Sequence, residues 1–336
     1  MSSDIERAAQ RLLEGGLVAF PTETVYGLGA DAENAAAVDR IYAAKGRPSN
    51  HPVIVHVAPG ADLSYWADSV PDEARALIDA FWPGPLTLIL PRAPNIPSRV
   101  SGGQDSIGLR CPSHPIAQDL LQRFAELKGG HGGVAAPSAN KFGQVSPTRA
   151  EHVRREFPEL DESGLLVLEG GASEVGIEST IVDVSRIAQG IGPVLLRPGH
   201  ITAEALSKVL GRPISRPDNA APRVSGSLKA HYAPHTPLML ADRVQLGSIL
   251  DTARGHGEVI AIAGFEPAPF TSDQLGACVW HRCASDSNAY ARALYAMLRE
   301  LDEGSFNRIV VERPPATPAW QAVNDRLGRA AAAFSG

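Results

Sequence analysis

The chain has 336 residues, 44% of them hydrophobic and 20% charged, with a formal net charge of −6. That length suggests two domains with ample core material, and that charge argues against a protein whose main task is coating nucleic acid. The three cysteines have no metal-ligand spacing, no apolar leader follows Asp4 and Glu6, and the apolar runs are strand-sized; together they predict a reducing, cytoplasmic setting without membrane segments.

In chain order, Ser3-x-x-Glu6 reads as a capping box for a helix carrying Ile5, Ala8, Ala9, Leu12 and Leu13, ended by Gly15-Gly16. Leu17 to Phe20 is a buried strand. It enters the hydroxyl-rich, glycine-punctuated turn Pro21-Thr22-Glu23-Thr24-Val25-Tyr26-Gly27-Leu28-Gly29. Asn34 caps a helix with Val38, Ile41 and Tyr42 on its inner face. That helix ends on Lys45 and Arg47, and Val53 to Val57 follows as a strand. Pro71 opens a helix through Phe81, Trp82-Pro83-Gly84-Pro85 breaks it, and Leu86 to Leu90 and Ser106 to Arg110 are strands. After a helix over residues 116–124, the Gly129–Gly133 loop leads into Val134 to Asn140, and Thr148-x-x-Glu151 opens another helix. Leu165 to Leu168, Ser179 to Val184 and Val194 to Leu196 are strands, followed by a helix from Ile201 to Leu210. Strands that follow one another without intervening helices predict an α/β or α+β fold, not a purely parallel sheet.

The first domain is thus residues 1–210, and residues 211–237, dense in proline, read as a linker. Residues 238–336 form a small, Rossmann-like parallel α/β domain, with strands near 238–240, 259–263, 277–280 and 308–311 and helices over 289–301 and 319–333.

The chain has no P-loop, no complete dinucleotide fingerprint, no H-E-x-x-H and no G-x-S-x-G elbow. Ser138-Ala139-Asn140-Lys141 matches S-x-x-K but lacks its companion motifs. What remains is a set of hydroxyls and cations at strand ends, where α/β proteins place their crevices. With few candidate bases, such a set can position ligands and neutralise charge, which suits phosphoryl or nucleotidyl transfer. Taken singly, each residue also has a plainer reading. Lys45 and Arg47 would suit any helix C-terminus, His56 a filled core, Arg110 a buried ion pair, and Tyr232 a packing anchor.

In combination, the blocks Phe20 to Gly29, Lys45 to Val57, Ser106 to Pro112, Ala136 to Thr148, Glu178 to Val182 and Leu196 to Gly199 resemble the YrdC-like family of threonylcarbamoyl-AMP synthases. Ser225-Gly226-x-x-x-x-His231-Tyr232-Ala233-Pro234 resembles the linker of the family's long, two-domain form, which lies over the active site. The resemblance implies a twisted, mostly mixed sheet with helices around a concave cavity. It also implies a reaction: L-threonine, bicarbonate or CO2, and ATP with Mg²⁺ give L-threonylcarbamoyladenylate and pyrophosphate. Partner proteins then transfer the threonylcarbamoyl group to tRNA, next to the anticodon.

The family's threonine positions match Thr24, His56, Arg110, Ala136 and Ser179. Its nucleotide positions match Arg47, His51, Ser106, Ser138, Ser146 and Arg197, with Tyr232, alongside His231, from the linker. Lys45, Arg47 and Arg197 are the implied catalytic cations. His51 stands where many members have asparagine, and Ser106 where threonine is common. No acidic cluster marks a protein-built metal site. An RNA-binding module with a YrdC-like basic cavity is the alternative class, and it would bind RNA with steep salt dependence and no ATP turnover. A carbamoyl-transfer maturation factor would need an acylphosphatase-like segment and Cys-rich zinc motifs, which this chain lacks.

Overall fold

The structure, a computed structural model, describes residues 2–335. The chain divides into two compact units, one comprising residues up to Phe142 with Ser146–Ser227, the other Gly143–Val145 with the chain from Leu228 onward.

The first unit runs α1 (Ser2–Leu13), β1 (Leu17–Phe20), β2 (Gly27–Asp31), α2 (Ala35–Lys45), β3 (Ile54–Val57), α3 (Asp72–Phe81), β4 (Leu86–Pro91) and β5 (Ser106–Arg110). It continues with α4 (Pro115–Leu127), β6 (Gly133–Ala135), α5 (Ala150–Glu156), β7 (Leu165–Val167), β8 (Thr180–Asp183), β9 (Val194–Arg197) and α6 (Ala203–Leu210). Its strands form one nine-stranded sheet in the order β7-β1-β2-β6-β3-β5-β4-β8-β9. Three parallel pairs (β1/β7, β3/β5, β4/β8) stand among five antiparallel ones, so the sheet is mixed.

Strand alternation gives this sheet two different faces. Ala19, Leu28, Val55, Leu88, Leu109 and Val182 share one apolar core with Val38 and Ile41 of α2 and Leu77 of α3. On the other face, Val18, Phe20 and Val134 pack under Ala8 and Leu12 of α1 and Leu120 and Phe124 of α4. The register carries that second face onward, from Val134 across to His56, then Arg110. Polar side chains therefore emerge there from otherwise apolar strands.

Several local expectations change. The first helix begins at Ser2, so Ser3 lies inside it and is no cap. The glycine-rich turn after Tyr26 is strand β2. A Cβ on Gly29 would come within 2.9 Å of the Phe20 ring and 2.8 Å of Val134, so glycine here permits close strand packing. Arg149, not Thr148, precedes α5, and the Thr148 amide donates instead to His152 Nδ1. Asn34 does cap α2, accepting from the Ala37 amide.

The second unit contains β10 (Leu238–Ala241), α7 (Leu246–Gly255), β11 (Ile260–Gly264), α8 (Ser272–Leu275), β12 (Val279–Arg282), α9 (Ser287–Glu303), β13 (Arg308–Glu312) and α10 (Gln321–Ala332). Its sheet, ordered β10-β13-β11-β12, is parallel throughout. The helices α7 and α8 were not anticipated from sequence; α8 is a single turn held by a Thr271–Gln274 capping box.

The stretch read as a linker has partners of its own. Up to Ser227 they lie in the first unit. Arg186 pairs with Asp218, and the Gln104 side chain makes two bonds to the Arg223 backbone, accepting from its N–H at 2.8 Å and donating to its carbonyl at 3.0 Å. Val224 is buried with Ile89 and Ile181. From Leu228 they lie in the second unit, where the His231 amide donates to Arg329 O and the His235 and Thr236 amides donate to Asp302.

Candidate active site

The polar residues of the first unit gather in three clusters. The first is built on the turn after β1 and the end of β5. Arg110, Glu23 and Thr24 are all at most 4% exposed. Arg110 Nη1 donates to Thr24 Oγ1 at 2.8 Å, Nε reaches Gly84 O at 3.4 Å, and Nη2 faces Glu23 Oε1 at 2.7 Å. That last contact is close yet not aligned as a hydrogen bond, so both atoms keep directional capacity. Glu23 Oε2 accepts the Ser113 amide.

Thr22 Oγ1 donates to Val25 O at 2.6 Å, accepts the Thr24 and Val25 amides, and lies 2.9 Å from Thr24 Oγ1.

His56 stands opposite Arg110 in register and meets the edge of Phe20, ring centroids 5.9 Å apart. Burial, reinforced by the Arg110 charge, lowers its pKa to about 3, so the imidazole is neutral at physiological pH. It offers neutral hydrogen bonding, not a counter-charge. Ala136 completes this region, its amide bonded to Ile54 O.

The second cluster joins Thr87, Ser179, Arg197 and Ser225. Thr87 and Ser179 hydroxyls meet at 2.8 Å, and Arg197 binds the Ser179 carbonyl through Nε and Nη2, the Ser179 hydroxyl through Nη2 and Ser225 O through Nη1. The third lies at the end of α2. Lys45 Nζ donates to the carbonyls of Ser138, at 2.7 Å, and Asn140, clamping the turn after β6. Complete burial, with Arg47 nearby, pulls the Lys45 pKa well below its usual value. Arg47 donates to Pro52 O and lies 5.9 Å over the Phe142 ring, which also meets His51 edge-on at 5.4 Å. Partial burial, then Arg47 and Arg223, lower the pKa of His51, which favours its neutral form.

Ser106 lines a narrow cleft with Ile54, Gly108 and Ile181, roofed by Arg223, Val224 and Ser225. Ser146 donates to Glu178 at 2.6 Å. Tyr232 belongs to the second unit and has φ +63°; its ring sits 5.7 Å from Tyr295 and 5.5 Å below the Arg326 guanidinium.

Sequence reasoning assigned no role to Glu23, Thr87, Gln104 or Ser225. The available signals were an acid inside a hydroxyl-rich turn and a threonine interrupting the apolar run Leu86 to Leu90. Nothing in the sequence paired Gln104 with Arg223. Among the described residues, no group of three or more His, Cys, Asp or Glu could hold a metal ion, and no helix is long and apolar enough to cross a membrane.

Comparison with known proteins agrees over nearly the whole chain. The Sua5/YciO/YrdC family model, described as telomere recombination, matches residues 10–199, and a model for the threonylcarbamoyl-AMP synthase C-terminal domain matches residues 201–332. Threonylcarbamoyl-AMP synthase of Bacillus subtilis is 40% identical, the match covering 97% of this chain and 92% of the relative. The Pyrococcus abyssi synthase is 35% identical, covering 97% and 93%. The crystal structure of P. abyssi Sua5 complexed with L-threonine superposes with a TM-score of 0.85 at 33% identity, covering 98% of this chain and 94% of that one. By sequence across both units and by fold, this chain belongs to the Sua5/YrdC family, in the two-domain threonylcarbamoyl-AMP synthase form.

Proposed function

We propose that this protein is an L-threonylcarbamoyladenylate synthase, consuming L-threonine, bicarbonate or CO2, and ATP and releasing pyrophosphate, in the cytoplasm and in service of tRNA modification. The observation that carries the reading is the buried Arg110–Thr24 contact, with neutral His56 beside it, in a chain 40% identical to a named synthase. The Arg110 guanidinium is the receptor for the substrate carboxylate, because its planar fork matches that group. Ser179, held by Arg197 and Thr87, and Ala136 line the same amino-acid site.

Lys45, Arg47 and Arg197 serve the nucleotide, with His51, Ser106, Ser138 and Ser146. The carbamate attacks the α-phosphorus of ATP, anion against anion, and these cations offset the repulsion and the charge growing on pyrophosphate. Lys45 does so in part indirectly, by holding the Ser138–Asn140 turn. Mg²⁺ bound to ATP would neutralise phosphate charge. The labile product passes to transferase proteins that act on tRNA.

Incubation of the pure protein with ATP, bicarbonate and labelled threonine tests this reading. Pyrophosphate release should require both threonine and bicarbonate. Release that is indifferent to either one overturns it.

A further inference from the structure

We infer that Glu23 makes the amino-acid site a receptor for a zwitterion: it is the specificity-determining partner of the substrate's α-ammonium, beside Arg110 for the carboxylate. This rests on the reading of Arg110 given above.

Among the groups around Arg110, the charged spare donors are on the guanidinium, since one N–H of Nη1 is used by Thr24 and Nη2 has no aligned acceptor, and neutral His56 adds a buried Nδ1 without a partner. A spare acceptor lies beside them. Glu23 Oε1 lies 2.7 Å from Nη2 with no hydrogen bond directed at it.

An α-carboxylate needs donors and an α-ammonium needs an acceptor, and here both stand within one guanidinium's width. The charges agree. Arg110 and Glu23 sum to zero, and both side chains are 5% exposed, so the site has little water to screen an unbalanced newcomer. A zwitterion keeps the sum at zero. A 2-hydroxy acid brings a carboxylate alone and leaves the site with excess negative charge. A buried arginine without Glu23 would favour that hydroxy acid; with Glu23 it is rejected.

The test is calorimetric binding of L-threonine and of 2,3-dihydroxybutanoate, in which a hydroxyl replaces the ammonium, to the full chain. The wild type should bind the hydroxy acid about 10- to 100-fold more weakly, the loss of a charge-assisted hydrogen bond in a buried site. Glu23→Gln should weaken threonine and bring the two ligands to within a few-fold of each other. Glu23→Asp keeps the charge and should keep the wild-type preference even where affinity falls.

A Glu23→Gln protein that binds ATP normally yet retains the wild-type preference overturns the proposal. So does a wild type that binds both ligands equally, an outcome that needs no variant. Wild type without affinity for L-threonine overturns the parent reading, and this one with it; threonine affinity with an unaltered preference in Glu23→Gln overturns this one alone.

Discussion

Arg197 grips Ser179 at three points, with Nε and Nη2 on its carbonyl at 3.1 and 2.9 Å and Nη2 on its hydroxyl at 3.1 Å. The residue assigned to the nucleotide thus fixes a residue assigned to the amino acid. If Arg197 acted by charge alone, lysine would serve. A lysine cannot span these acceptors, so Arg197→Lys should lose activity about as far as Arg197→Ala, on the order of 10²–10³ in kcat. Steady-state kinetics of the two variants decide; near-full rescue by lysine would show a purely electrostatic role.

Removing Arg110 should do two separable things. Arg110→Met leaves Glu23 buried without its counter-ion, at a cost of about 3–5 kcal/mol. It should also raise the threonine KM far more than the ATP KM. Adding Glu23→Gln should restore most of the stability and none of the threonine affinity. Urea unfolding and kinetics on the single and double variants check both, and equal changes in the two KM values would mean the site is assigned to the wrong substrate.

His56 ties stability to pH. Its folded pKa, about 3, lies below the ordinary 6.5. As pH falls through 6.5 the unfolded chain takes up a proton that the native imidazole refuses. Stability should therefore drop by about 1.4 kcal/mol per pH unit below 6, with no contribution above 7. His56→Gln should flatten that slope relative to wild type in urea titrations between pH 4 and 8. Parallel slopes would show that His56 protonates at no cost in the fold.

Gly199 holds its place by lack of a side chain. A Cβ there would sit 2.4 Å from Thr180 N and 2.8 Å from Ser179 C, both backbone atoms. Gly199→Ala should cost about 1–3 kcal/mol and, by displacing Ser179, raise the threonine KM. Thermal melts with kinetics check it; a variant of unchanged KM would place Ser179 outside the amino-acid site.

A chain cut after Ser227 keeps Ser225 for Arg197, Arg223 for Gln104 and Val224 in its apolar cluster. A chain cut after Gly211 loses all three. The longer fragment should melt higher, each kcal/mol showing as about 2–4 °C. Equal melting temperatures would mean that residues 212–227 add nothing to the first unit.

Much of this protein could be read from the order of its residues. Alternation and helical spacing gave β1, β3, β4 and β5, because apolar runs of strand length between Gly and Pro breaks have few other uses. The Asn34 cap and the Lys45-Gly46-Arg47 exit were local chemistry, and the combined motif blocks carried the family. Strand β2 was hidden because glycine, demanded there by the Phe20 ring, reads as a turn. Pairings far apart in the chain were invisible altogether. Glu23 against Arg110, Thr87 against Ser179 and Gln104 against Arg223 each join residues brought close only by sheet order and register. The sequence by itself determined most of the strands and helices and which side chains are available. The tertiary structure decided which polar groups share a face and which charges stand buried together, since these depend on long-range register and burial that no local pattern encodes.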